Sequence, residues 1–63
     1  MRQLEYKSKM IVADTYKLGH GYQWSYQIDG GPLREGRDRP LRNEELMLNE
    51  GIERAKSEID RTG

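Results

Sequence analysis

The chain has 63 residues, no cysteine, one histidine and a formal net charge of zero, so it has room for one domain and is read as a single domain over residues 1–63. Disulfides and thiolate metal sites are excluded, and a zinc site would have only carboxylates beside His20. Hydrophobic residues make up 33% and charged residues 35%, a balance close to that of disordered chains, but zero net charge and a strongly patterned apolar set point to a fold.

Taken in chain order, residues 1–5 are expected to fray. Residues 10–18, with an alternative start near Tyr6, read as the first strand, although residues 3–14 also admit a helical reading. Even positions Met10, Val12, Asp14, Tyr16 and Leu18 are assigned inward, with Asp14 at an edge or bulge. Ile11 and Asp14 disturb that alternation. Gly19-His20-Gly21 then reads as a turn. Residues 22–29 carry the clearest signal: Tyr22, Trp24, Tyr26 and Ile28 alternate with Gln23, Ser25, Gln27 and Asp29. Period two in β-favouring residues predicts a strand with one apolar and one polar face. Asp29-Gly30-Gly31-Pro32 supplies the positive φ angles of a tight hairpin.

Residues 32–37 are expected to form a short edge strand, with Pro32 at its start and dense charge along it. Pro40 holds Arg39 out of helical geometry. A helix is predicted to begin at Asn43, a good N-cap, followed by Glu44 and Glu45 at the positive end of the macrodipole. Leu48, Ile52, Ala55 and Ile59 form its apolar stripe, and Thr62-Gly63 ends it. Gly51 lies on the edge of that stripe, where the helix backbone is expected to approach a bulky side chain, with Trp24 the candidate. The resulting fold class is α+β: a three-stranded antiparallel β-sheet with one C-terminal α-helix packed on one face, β-β-β-α. Its core is expected to set Tyr22, Trp24, Tyr26 and Ile28 against the helical stripe.

Catalysis finds little to work with. His20, between two glycines, reads as an exposed turn residue, and neighbouring Glu44 and Glu45 do not face each other on a helix. The glycine pairs join strands rather than opening a helix, so no phosphate loop is indicated. No catalytic residue, metal or cofactor is assigned, and an enzyme is not expected. No apolar run approaches the roughly 18 residues of a membrane span, and the N-terminus lacks a secretory apolar stretch. A soluble, cytoplasmic protein with no membrane partner and no small-molecule substrate is expected.

Charge is unevenly placed. Residues 1–42 carry eight basic and five acidic side chains, and residues 43–63 carry three and six. A basic sheet region thus faces an acidic helix. The leading expectation is a small non-enzymatic interaction protein that self-associates as a homodimer, with Leu46 and Met47 seeding the contact on the outer helix face. Self-association would also support so small a core. The alternative is a nucleic-acid-binding module. Its open sheet face would offer Lys17, Gln23, Gln27, Arg34, Arg37 and Arg39, since Gln and Arg fit base edges and Lys neutralises phosphate. A third, more distant reading is an accessory piece of a larger bacterial or phage assembly.

The run Trp24-Ser25-Tyr26-Gln27-Ile28-Asp29-Gly30-Gly31-Pro32-Leu33, with arginine-rich sequence and a Glu-rich amphipathic helix after it, resembles a pattern in small stand-alone bacterial proteins of unknown function. The resemblance covers residues 6–60 and implies no activity. In layout alone, three strands followed by a helix is similar to the arm-binding domains of phage-type integrases and to the plant AP2 domain. That similarity implies DNA binding through the open sheet face, but those domains carry a more basic sheet than this one.

Overall fold

The computed structural model describes residues 1–37 and 39–62. Four antiparallel strands in the order β1-β2-β3-β4 form one sheet: β1 (Arg2–Tyr6), β2 (Lys9–Leu18), β3 (Gly21–Ile28) and β4 (Arg34–Glu35). One helix, α1 (Glu44–Thr62), packs on one face. The α+β class and the C-terminal helix match the sequence expectation, but the sheet has four strands rather than three. The added strand is β1, in residues expected to fray.

β1 reaches β2 through Lys7 and Ser8, whose φ angles are 51° and 67°. Two successive positive φ values are the signature of the type I′ hairpin turn, which normally selects Asn-Gly or Asp-Gly. Lys7-Ser8 carries no such signal, so the hairpin is silent in the sequence. The strain is offset by contacts to the helix end. The Lys7 ammonium lies 2.6 Å from Asp60, and the Tyr6 hydroxyl donates to the same carboxylate at 3.1 Å. Replacing Ser8 by glycine should stabilise the fold by about 0.5–1 kcal/mol, because the left-handed conformation is costly for a residue with a Cβ. An unchanged or lower urea midpoint would contradict this.

The parity of β2 is the opposite of that expected. Ile11 and Ala13 are fully buried, whereas Met10 and Leu18 are exposed. The register sets Ile11 opposite Ile28, Ala13 opposite Tyr26 and Thr15 opposite Trp24, so the odd positions share the helix-covered face with the aromatics of β3. The physical reason is that β2 is apolar on both sides. Alternation then cannot tell inside from outside, and the partner strand decides.

β4 is shorter than predicted, pairing only Arg34 with Tyr26 and Glu35 with Ser25. Gly36 donates to the Trp24 carbonyl, and Leu41 bridges Tyr22 further along. Among the described residues no strand neighbour accepts the Trp24 backbone N–H, and the Gln23 side-chain oxygen accepts it at 3.1 Å. Gly36 lies directly against this pair, since a Cβ there would collide with the Gln23 amide and stand 2.6 Å from the Trp24 ring.

α1 starts as expected. The Asn43 side chain accepts the Leu46 N–H at 3.1 Å, satisfying one of the free amides of the first turn. Thr62 is its last residue. Gly63, expected to terminate it, lies outside the described residues, as does Asp38. The core joins Ile11, Ala13, Trp24 and Tyr26 to Met47, Ile52, Ala55 and Ile59, with Leu4, Tyr6, Tyr22, Ile28 and Leu48 half-buried around it. Gly51 rests on Trp24 as predicted: a Cβ at Gly51 would lie 2.7 Å from the Trp24 Cβ. The row Met47, Gly51, Ala55, Ile59, each four residues apart, runs over this contact. Met47 therefore belongs to the core at 1% exposure, which corrects its assignment to a surface contact. Leu46 is exposed.

Candidate functional site

The strand register divides the sheet into two chemically different faces. On the helix side stand Arg2, Lys9, Lys17 and Arg34, which are all the lysines and arginines of the four strands. On the open side stand Gln3 and Glu5 from β1, Met10, Val12, Asp14, Tyr16 and Leu18 from β2, Gln23, Ser25 and Gln27 from β3, and Glu35 from β4. The open face therefore carries three carboxylates and no strand cation.

Part of the basic–acidic polarity read from the sequence is taken up within the fold. Arg2 pairs with Glu45 at 3.5 Å and Arg34 with Glu58 at 3.6 Å, both across the sheet–helix boundary. Lys7 pairs with Asp60, and the Thr15 hydroxyl donates to Glu44 at 2.7 Å. These exposed pairs are each worth little, but they fix the helix's direction over the sheet.

The expected nucleic-acid residues do not form one surface. Lys17 and Arg34 sit on the helix side, and Arg34 is engaged with Glu58. Gln23 has the predicted outward parity but is only 1% exposed, with its oxygen on the Trp24 N–H. It offers no amide to a base edge. Gln27 is half-buried and donates to the Gly31 carbonyl at 3.0 Å. Arg37 and Arg39 are exposed beyond β4. Arg39 and Arg42 line an open cleft of about 410 Å³ with Leu18, His20, Pro40 and the turn glycines. This cleft, at the β2–β3 turn, went unseen in the sequence because it joins residues twenty positions apart.

The open face holds a feature that sequence reasoning placed inside. Met10 and Leu18 are exposed, and Val12 and Tyr16 are half-buried, in one stripe down β2. Burial, and then the negative charge of Glu35, raises the Tyr16 phenol pKa. Strict alternation would have exposed the stripe had Ile11 been given more weight than the four residues around it.

Under the helix C-terminus, the Tyr26 hydroxyl donates to Glu58 at 2.6 Å. Burial, then the Glu58 contact, pushes the Tyr26 phenol up to about 12, with Arg34 and Arg61 pulling the other way. A folded-state pKa above the ordinary 10 means that the neutral phenol stabilises the fold fully below about pH 10 and that this contribution is lost as pH rises towards 12. Tyr26→Phe should therefore flatten the fall in stability over that window. Denaturation series at several alkaline pH values check this, and identical slopes for the two proteins would refute it.

Among the described residues, no three His, Asp or Glu side chains are grouped to hold a metal. No helix of the structure is long and apolar enough to cross a membrane. No family model, no curated protein and no solved structure matches the chain.

Proposed function

We propose that this chain is a non-enzymatic interaction protein that associates with copies of itself and meets partners through the sheet face its helix leaves open. The observation that carries the proposal is the β2 stripe of Met10, Val12, Tyr16 and Leu18 on an uncovered face. Apolar side chains gathered on an uncovered face, interrupted here by Asp14 alone within β2, are the usual material of a contact surface. Zero net charge adds no electrostatic barrier between copies. A cytoplasmic setting is part of the proposal, and a cysteine-free chain fits one. Sedimentation equilibrium over a wide concentration range tests it. Mass rising with concentration is expected, and a strict monomer at high concentration removes self-association. Val12→Lys should leave cooperative unfolding intact while weakening contacts made by the open face.

A second reading keeps nucleic acid as partner but moves the contact. Arg39 and Arg42 are exposed at the β2–β3 turn and Arg37 is exposed beyond β4, none of them with a carboxylate partner among the described residues, and Lys17 lies at the turn end of β2. Labelled duplex and single-stranded DNA titrated at low salt test this reading. Binding should weaken steeply as salt rises, and should be lost in an Arg39→Ala, Arg42→Ala variant. Absence of binding at micromolar protein in low salt eliminates it.

A further inference from the structure

The two edges of the sheet are unequal. β4 is two residues long and follows Pro32, so it is too short to template another strand. β1 is five residues long, pairs among the described residues with β2 alone, and contains no proline or glycine.

The direction of its free hydrogen-bonding groups follows from the register. The Tyr22 N–H and the Trp24 carbonyl point towards the β4 side. In an antiparallel ladder the two sides alternate by residue, so the odd residues of β3 bond to the even residues of β2. The odd residues of β2 then bond to Arg2, Leu4 and Tyr6. This leaves the N–H and C=O groups of Gln3 and Glu5 aimed outward, with no strand beyond them.

We infer that two copies join antiparallel along these β1 edges, forming one continuous eight-stranded sheet; the inference rests on the self-association proposed above. The two-fold axis passes at Leu4. In that register Gln3 faces the other copy's Glu5, and each such pair exchanges two backbone hydrogen bonds. Arg2 faces Tyr6, and Leu4 faces Leu4. No like charges meet. Sliding one copy by two residues either sets Glu5 against Glu5 or leaves Tyr6 unpaired, so charge and length select this register. The helix lies over β2 and β3, and Leu4 and Tyr6 stay half-buried on the helix side of β1. Joining two copies places both pairs side by side in the groove between the helices. The open faces then lie together on the opposite side, doubling the surface that meets partners.

The test exploits the absence of cysteine. Residues facing each other in a non-hydrogen-bonded pair have Cα atoms about 4.5 Å apart, within disulfide range. Leu4→Cys should form a disulfide-linked dimer rapidly under mild oxidation, while Leu46→Cys, on the exposed helix, should not. Gln3→Pro removes an outward N–H that no bond within the fold uses. It should give a monomer by sedimentation with the circular dichroism of the parent. If the parent associates but Leu4→Cys crosslinks no faster than Leu46→Cys, the β1 interface is overturned and self-association stands. If the parent is monomeric throughout and Leu4→Cys stays uncrosslinked, both are overturned. Should Gln3→Pro fail to fold, the crosslinking comparison decides alone.

Discussion

Replacing Gly51 by alanine should destabilise the domain by about 1–3 kcal/mol, although alanine is the better helix former. In an exposed helix the same change gains roughly 1 kcal/mol. Here the added Cβ would stand 2.7 Å from the Trp24 Cβ, an atom held rigidly to its own strand. Neither partner can rotate aside, so the helix must lift from the sheet and loosen the packing of Ile52 and Ala55. A domain of this length holds only a few kcal/mol of net stability, about 0.05–0.15 kcal/mol per residue, so a substantial share of it is at stake. Gly51→Leu should leave no cooperative transition at all. Urea denaturation of the alanine variant is decisive, since a midpoint above that of the parent would show that propensity outweighs the contact.

Met47 and Leu46 should behave as opposites, although they are adjacent and similar in size. Met47→Ala removes a side chain that is 1% exposed and leaves a hole beside Gly51, at an expected cost of about 2–5 kcal/mol. Leu46→Ala, on a residue 56% exposed, should change stability by no more than about 0.5 kcal/mol. Leu46→Lys should likewise leave both stability and association unaltered. Thermal melts of the three variants separate the two positions. A Leu46 effect as large as that of Met47 would mean that the outer face of α1 is covered in solution.

Which elements could be read from the sequence follows from how many partners each needs. β3 was legible because its aromatics alternate without interruption, and α1 because its cap, acidic first turn and stripe agree. The Gly51–Trp24 contact could be read because a mid-helix glycine needs a reason. β2 was assigned the wrong face because Met10, Val12, Tyr16 and Leu18 outnumber Ile11 and Ala13, and only pairing with β3 reveals that the smaller set is inside. β1 was missed because Lys7-Ser8 adopts a glycine-type turn without glycine, held there by Asp60 fifty-three residues later. Gln23 kept its predicted outward parity yet is covered, with its oxygen serving the Trp24 backbone amide, which no described strand neighbour accepts. The candidate site fared worse than the fold for a related reason. The basic residues were correctly counted, but their partners lie on an element distant in sequence, so composition could not show that Arg2 and Arg34 were already engaged.

The order of the elements has a consequence for biosynthesis. All four strands are translated before the helix that covers them. Until Met47 through Ile59 emerge, Trp24 and Tyr26 have no helix to cover them, and β2 is apolar on both sides of a growing sheet. The nascent chain thus passes through a stage with two sticky surfaces, when contact with a chaperone or a neighbouring chain competes with folding. The acidic helix ends that stage: its Glu45, Glu58 and Asp60 meet cations already waiting on the sheet side, and the helix, made after the strands, closes over them.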